Sequence, residues 1–248
     1  MSSPGRNRAS GNTLLRAAIE YVETALRSVE GMKALLVDAD LRVVLNLVST
    51  HTALLQHEVV FVDTLETADR PDLSYLPCVV LARPLADSVR SVSHELESGK
   101  FREFHLAFTN TVDADVLQAL SNADGRKLVK SFQELYLDFL PVADDTALVR
   151  LGTGQSAASA KVPLSINEWT NADFTRVAQG LVATMLATNR RPLIRYRNNN
   201  KVTARIAAEV GAKMRMVNTT FFDLRARASV LLILDRSDDP VTPLLTQW

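Results

Sequence analysis

The chain of 248 residues has one cysteine, four histidines and no excess of either charge, 28 Lys+Arg balancing 28 Asp+Glu. A lone cysteine, Cys78, excludes an internal disulfide and any site built on several thiolates, and it fits a reducing compartment. Zero formal net charge removes the electrostatic footprint of a general nucleic-acid or anionic-membrane binder. The longest apolar runs, such as Val230–Leu234 (VLLIL), fall far short of the roughly 20 residues of a membrane-spanning helix. Phosphate-binding signatures are missing too. There is no GxxxxGK[ST], and Gly152 and Gly154 form a GxG with no third glycine and no strand and helix around it. His51, His57, His94 and His105 make neither HExxH nor a paired-ligand pattern. Cys78, inside PCVVLA, reads as a small inert hydrophobe rather than a nucleophile, which needs a partly exposed electropositive niche. What is present is ordinary globular usage, 47% hydrophobic and 23% charged, enough for one or two domains at roughly 100–200 residues each.

Helical and strand patterns alternate. Leu15, Ile19, Val22, Leu26 and Val29 mark one face of a helix over Thr13–Val29, with Gly31 as its stop. Strand-like runs follow at Lys33–Val37, Glu58–Asp63, Pro77–Ala82, Glu103–Thr109 and Leu135–Leu140. Helical spacings lie between them at Leu41–Ser49, Leu85–Glu97 and Asp113–Leu120, with Asp38 and Asp40 as cap residues. This order predicts βαβ units: an α/β fold with an open, mostly parallel five-stranded sheet flanked by helices. The first helix is expected at the sheet edge. Residues 1–12 read as a disordered lead-in without a secretory signal. Residues 13–142 make the first domain, and residues 143–248 an incomplete second α/β domain. The latter has a polar loop at Gly152–Pro163, helices at Asn171–Leu186 and Lys201–Val217, a strand at Pro192–Tyr196 and a buried strand at Val230–Leu234. Two strands are marginal as a sheet, and the apolar ending PLLTQW reads as a unit cut off at Trp248.

Three clusters bear on chemistry. Asp235, Asp238 and Asp239 follow a strand, where carboxylates are able to hold Mg²⁺; a turn and helix cap before Pro240 explain them as well. NRRPLIRYRNNNKVTAR places Arg190, Arg191, Arg195, Arg197, Lys201 and Arg205 together with no acidic residue, a phosphate-binding stretch or a solvated face. In Val112–Leu140, Val116, Leu117 and Leu120 share a helical side, and Leu128, Val129 and Phe132 follow at helical spacing. Such segments leave a groove for a short peptide, or all six residues are core.

The ending LLILDRSDDPVTPLLTQW, Leu231–Trp248, resembles the signature of the Sec/Munc (SM) family of SNARE regulators, and within it the branch concerned with vacuolar protein sorting. GMKALLVD at Gly31–Asp38, LARP at Leu81–Pro84, FTN at Phe108–Asn110, FQELYLDFLPV at Phe132–Val142, QGL at Gln179–Leu181 and PLIRY at Pro192–Tyr196 agree in order and spacing. The resemblance implies a monomeric, non-enzymatic protein without cofactor or metal. It would bind a syntaxin-type Qa-SNARE of the trans-Golgi and endosomal system and its SNARE complex, and act in vesicle docking and fusion. Its location would be cytoplasmic and peripheral on Golgi and endosomal membranes, reached through SNAREs. The resemblance also implies a pocket for the syntaxin N-terminal peptide on the first domain, at Leu117 with Leu120, Val129, Phe132 and Glu134. Asp38 and Arg42 match a second, cleft-side contact surface. Under this resemblance Asp235 and Asp239 become structural, and the part that would complete the second domain and supply a third is missing. The alternatives are an α/β enzyme with a metal at Asp235–Asp239, or a phosphate or lipid binder through Arg190–Arg205.

Overall fold

A computed structural model of the chain describes residues 13–67, 69–149, 168–217, 229–235 and 241. The elements run α1 (Leu14–Arg27), β1 (Lys33–Val37), α2 (Ala39–Val48), α3 (His51–Gln56), β2 (Val59–Thr64), β3 (Leu73–Ala82), α4 (Ala86–Ser98), β4 (Phe101–Phe108), α5 (Ala114–Ala123) and β5 (Val129–Glu134), then the short pair β6 (Leu140–Pro141) and β7 (Ala147–Leu148). Strands β1 to β5 form one parallel sheet in the order β2-β1-β3-β4-β5. All five residues of β1 are buried, as a central parallel strand covered on both faces requires.

Two apolar layers flank the sheet. One joins Leu35, Val37, Val79, Leu81 and Ala107 to α1, α2 and α3; the other joins Ala34, Leu36, Cys78, Val80, Leu106 and Phe108 to α4 and α5. Helix α1, capped by Thr13, therefore packs on a sheet face and not at its edge. Cys78 is fully buried, and burial pushes its thiol well above the ordinary range, so it is no nucleophile.

The fifth strand differs from expectation. It is Val129–Glu134, and Leu135–Phe139 is irregular chain. A bulge accounts for the misleading spacing. Phe104 pairs with Val129 and His105 with Ser131, so Lys130 is the extra residue. It returns Val129 and Phe132 to one face, three residues apart, which imitates a helical interval. The alternating Leu135, Leu137 and Phe139 are buried against the α1 and α2 layer without continuing the ladder. The short α3, begun by the Thr50 cap, has no counterpart among the expected helices.

The second unit holds α6 (Asn171–Ala187), β8 (Leu193–Tyr196), α7 (Lys201–Met216) and β9 (Val230–Ile233), with β8 and β9 parallel. A capping box of Thr170 and Asp173 starts α6, and Asn200 caps α7. The strand expected to be buried is open on one side: Val230 and Leu232 are 61% and 59% exposed, while Leu231 and Ile233 pack against α7. Helix α6 also reaches the first unit, where Ala183 and Ala187 join the α1 layer. At Gly180 the approach is closest. A Cβ there would lie 2.3 Å from Val149 Cγ1 and 3.1 Å from the Asp138 carbonyl oxygen. Gly180→Ala should cost about 1–3 kcal/mol through overpacking, despite the better helix propensity of alanine. The denaturation midpoint of the variant measures it, and a stabilised variant would contradict the close approach.

Candidate functional site

In a sheet of order 2-1-3-4-5, the usual ligand crevice lies at the carboxyl ends of the strands, where the winding reverses between β1 and β3. Here the chain fills that crevice itself. Asp38 follows β1 and caps α2, its carboxylate accepting from the Asp40 N–H at 3.0 Å. Arg83 follows β3 and donates to the same carboxylate, from Nε at 3.1 Å to each oxygen and from Nη2 at 2.8 Å. Ser88 Oγ donates to it too, and Arg83 Nη1 pairs with Asp40 at 2.5 Å. Burial works against the Arg83 charge, but Asp38 and Asp40 outweigh it and hold the guanidinium more firmly protonated than usual. Glu66, whose Oε1 accepts from the Ala39 N–H, is raised by burial.

A second ion pair lies beside this one. Asp138 receives Arg176 Nη2 at 2.5 Å and Asn110 Nδ2 at 2.9 Å, and Asn110 also reaches the Gln179 carbonyl at 3.4 Å. The space left between Arg83 and Arg176 is about 20 Å³, room for one water and far below a substrate pocket of roughly 300–1,000 Å³. These groups hold the fold together. Asp38 itself is 0% exposed and fully engaged, so it supports α2 from below, whereas Arg42 stands exposed on that helix. The roles of Arg83, Asp138 and Arg176 escaped the reading of the sequence, which held the first two only inside the matching strings LARP and FQELYLDFLPV.

The other predicted group gathers around α5 and the edge strand β5. Leu117 is 43% exposed on α5, and Phe132 is 38% exposed on β5 with its ring 5.5 Å from that of Phe108. Val129, Phe132 and Glu134 share the sheet face that α5 covers, since their partners Phe104, Leu106 and Phe108 belong to that layer. Leu120 is 5% exposed and is part of the core beneath. Both ends of α5 are tied to β5. Glu134 Oε1 accepts from the Val112 N–H at 2.8 Å ahead of the helix. Beyond it, the Asp124 carboxylate accepts from Leu128 N–H at 2.7 Å and Val129 N–H at 3.1 Å. The exposed pair Leu117 and Phe132 is thus held on a preformed surface, with Glu134 acting through the backbone of the loop.

Of the Asp235–Asp239 cluster, Asp238 and Asp239 lie outside the described residues, and Asp235 accepts from Asn200 Nδ2 at 2.9 Å, steadying the α7 cap. The basic run disperses. Arg205 bonds Asn171 at 2.7 Å and stacks 4.2 Å over the Phe174 ring, while Arg195 faces outward from β8. Among the described residues no helix is long and apolar enough to cross a membrane.

Comparison with known proteins places these features in a family. A profile described as the Sec1 family matches residues 33–248. Vacuolar protein sorting-associated protein 45 of Dictyostelium discoideum is 33% identical over 92% of this chain and 39% of its own length. The protein of that name from Schizosaccharomyces pombe is 32% identical over 95% of this chain and 41% of its own. The structure of the SM protein Vps45 in complex with the Qa SNARE Tlg2 superposes with a TM-score of 0.85 at 33% identity, over 95% of this chain and 42% of that one. The chain thus spans about two fifths of the length of these relatives. With its five-stranded parallel sheet and flanking helices in agreement, the chain belongs to the Sec1 family.

Proposed function

We propose that this chain takes part in vesicle docking and fusion in trans-Golgi, endosomal and vacuolar transport as a SNARE-binding regulator. It binds the N-terminal peptide of a syntaxin-type Qa-SNARE through the surface of α5 and β5. The observation that carries this reading is the exposed pair Leu117 and Phe132 on a unit pinned by Glu134 and Asp124. The solved complex of an SM protein Vps45 with the Qa SNARE Tlg2 supports the partner class. In physical terms, an apolar anchor of the peptide would be buried against Leu117 and Phe132, worth roughly 1.5–3 kcal/mol, above a floor of Leu120 and Val129. Arg42 is the contact residue of a second, cleft-side surface, with Asp38 fixing the helix beneath it. Residues 13–142 form the peptide-binding domain and residues 143–248 part of a second. The protein works without catalysis or cofactor and lies peripherally on Golgi and endosomal membranes through its SNARE partner.

The test is titration of a labelled syntaxin N-terminal peptide against the unaltered chain and Leu117→Arg. The side chain is exposed, so the variant folds, and a guanidinium forced into an apolar contact should weaken binding by about 2–3 kcal/mol, roughly 30- to 150-fold. Equal affinities would remove the peptide from α5.

A further inference from the structure

A second recessed surface lies in the other unit. An open cleft of about 310 Å³ runs between the start of β8 and the last turns of α7. Leu193, Ile194, Val210 and Met214 make it apolar, and Arg191 and Arg215 stand at its borders. None of the described residues that line it is acidic. Neither arginine has an ion-pair partner among the described residues, and both are exposed. Lys213 and Arg190 add positive charge nearby in the chain.

Gly211 strengthens the case. It sits inside α7, where glycine costs about 1 kcal/mol against alanine. Packing gives no reason for it: a Cβ would meet nothing closer than Arg215 Nη1 at 3.6 Å and Ile194 Cδ1 at 3.8 Å, ordinary contact distances. Glycine keeps the cleft floor low there, between the Arg215 guanidinium and Ile194 at ordinary contact distance. This is in contrast to Gly180, where the Val149 side chain would overlap an added Cβ and the Asp138 carbonyl crowds it.

We infer that the cleft between β8 and α7 docks an acidic linear peptide bearing an apolar side chain, the side chain entering above Gly211 and the carboxylates meeting Arg191 and Arg215. Charge complementarity selects the peptide: two guanidinium groups without an ion-pair partner among the described residues, around an apolar floor, favour carboxylates flanking a leucine or phenylalanine. The site is separate from the surface on α5 and β5.

The probe is a fluorescein-labelled Glu-Asp-Leu-Phe-Asp-Glu peptide, followed by anisotropy with the full chain, with Gln-Asn-Leu-Phe-Asn-Gln as the neutral control. The acidic peptide should bind at least about tenfold more tightly than the control, and raising the salt from about 50 to about 300 mM should weaken it. Arg191→Glu with Arg215→Glu, and separately Gly211→Leu, should each reduce affinity by about tenfold or more. Gly211→Leu gains helix propensity, so its loss of binding would not reflect unfolding. Leu117→Arg should bind the acidic peptide unchanged. Equal binding of both peptides, no measurable binding, insensitivity to the cleft variants, or loss in Leu117→Arg would each overturn the inference. So would binding to vesicles with about 30% phosphatidylserine that the same cleft variants abolish, if the peptide itself does not bind; a lipid surface would then be the ligand.

Discussion

Arg83→Met should lower the unfolding free energy by about 3–5 kcal/mol, the cost of removing one partner of a buried ion pair. Asp38 is at 0% exposure and receives three contacts from that guanidinium. Without it, the carboxylate keeps only Ser88 Oγ and the Asp40 N–H, and Asp40 loses its own ion pair. Urea denaturation of both proteins at equal concentration measures the difference. Two further variants separate charge from volume. Arg83→Lys restores a point charge without the planar fork and should recover only part of the loss. Asp38→Leu combined with Arg83→Met replaces the pair by apolar groups and should be more stable than Arg83→Met alone. A single-variant loss below about 1 kcal/mol would mean that the pair behaves as an exposed surface bridge. The same residues argue against a small-molecule site, since the guanidinium occupies the place where related sheets hold their ligands.

Arg176→Met should cost a similar amount, about 3–5 kcal/mol, with a different signature. Asp138 lies in the irregular chain after β5, and Arg176 is on α6. Their bond, with the Asn110 link to Asp138 and the Gln179 carbonyl, ties the second unit to the first beside Gly180. Loss of the guanidinium leaves Asp138 buried with one side-chain donor. Hydrogen exchange should therefore accelerate in α6 before it does in β1, β3 and β4, because local opening takes the least stable contact first. Uniform acceleration across the sheet would place the bond in the global core instead.

How much was legible beforehand follows from the kind of signal each element carries. β1 was readable because Ala34–Val37 is an apolar run of strand length. α6 and α7 were readable because their apolar faces repeat at helical intervals. β5 was misread because one inserted residue at the bulge shifts the alternation, and the following Leu135, Leu137 and Phe139 alternate as a strand would while making no ladder. The open face of β9 was misread because burial of an apolar run depends on what lies across from it. At the proposed peptide surface, Leu117 and Phe132 were named from a family match, whereas the spacing itself favoured core over groove.

The amino-acid order by itself determined the βαβ alternation and the cap at Asp38, since these are local. Only the tertiary structure decided that Asp38 is a buried support, that Glu134 pins a loop, and that Gly180 sits where Val149 leaves no room for a side chain. Asp38 and Arg83 lie 45 residues apart, and Asp138 and Arg176 lie 38 apart. Pairings over such distances leave no period in a sequence; the first arises because β1 and β3 bring their carboxyl ends together, the second because α6 packs beside the chain that follows β5.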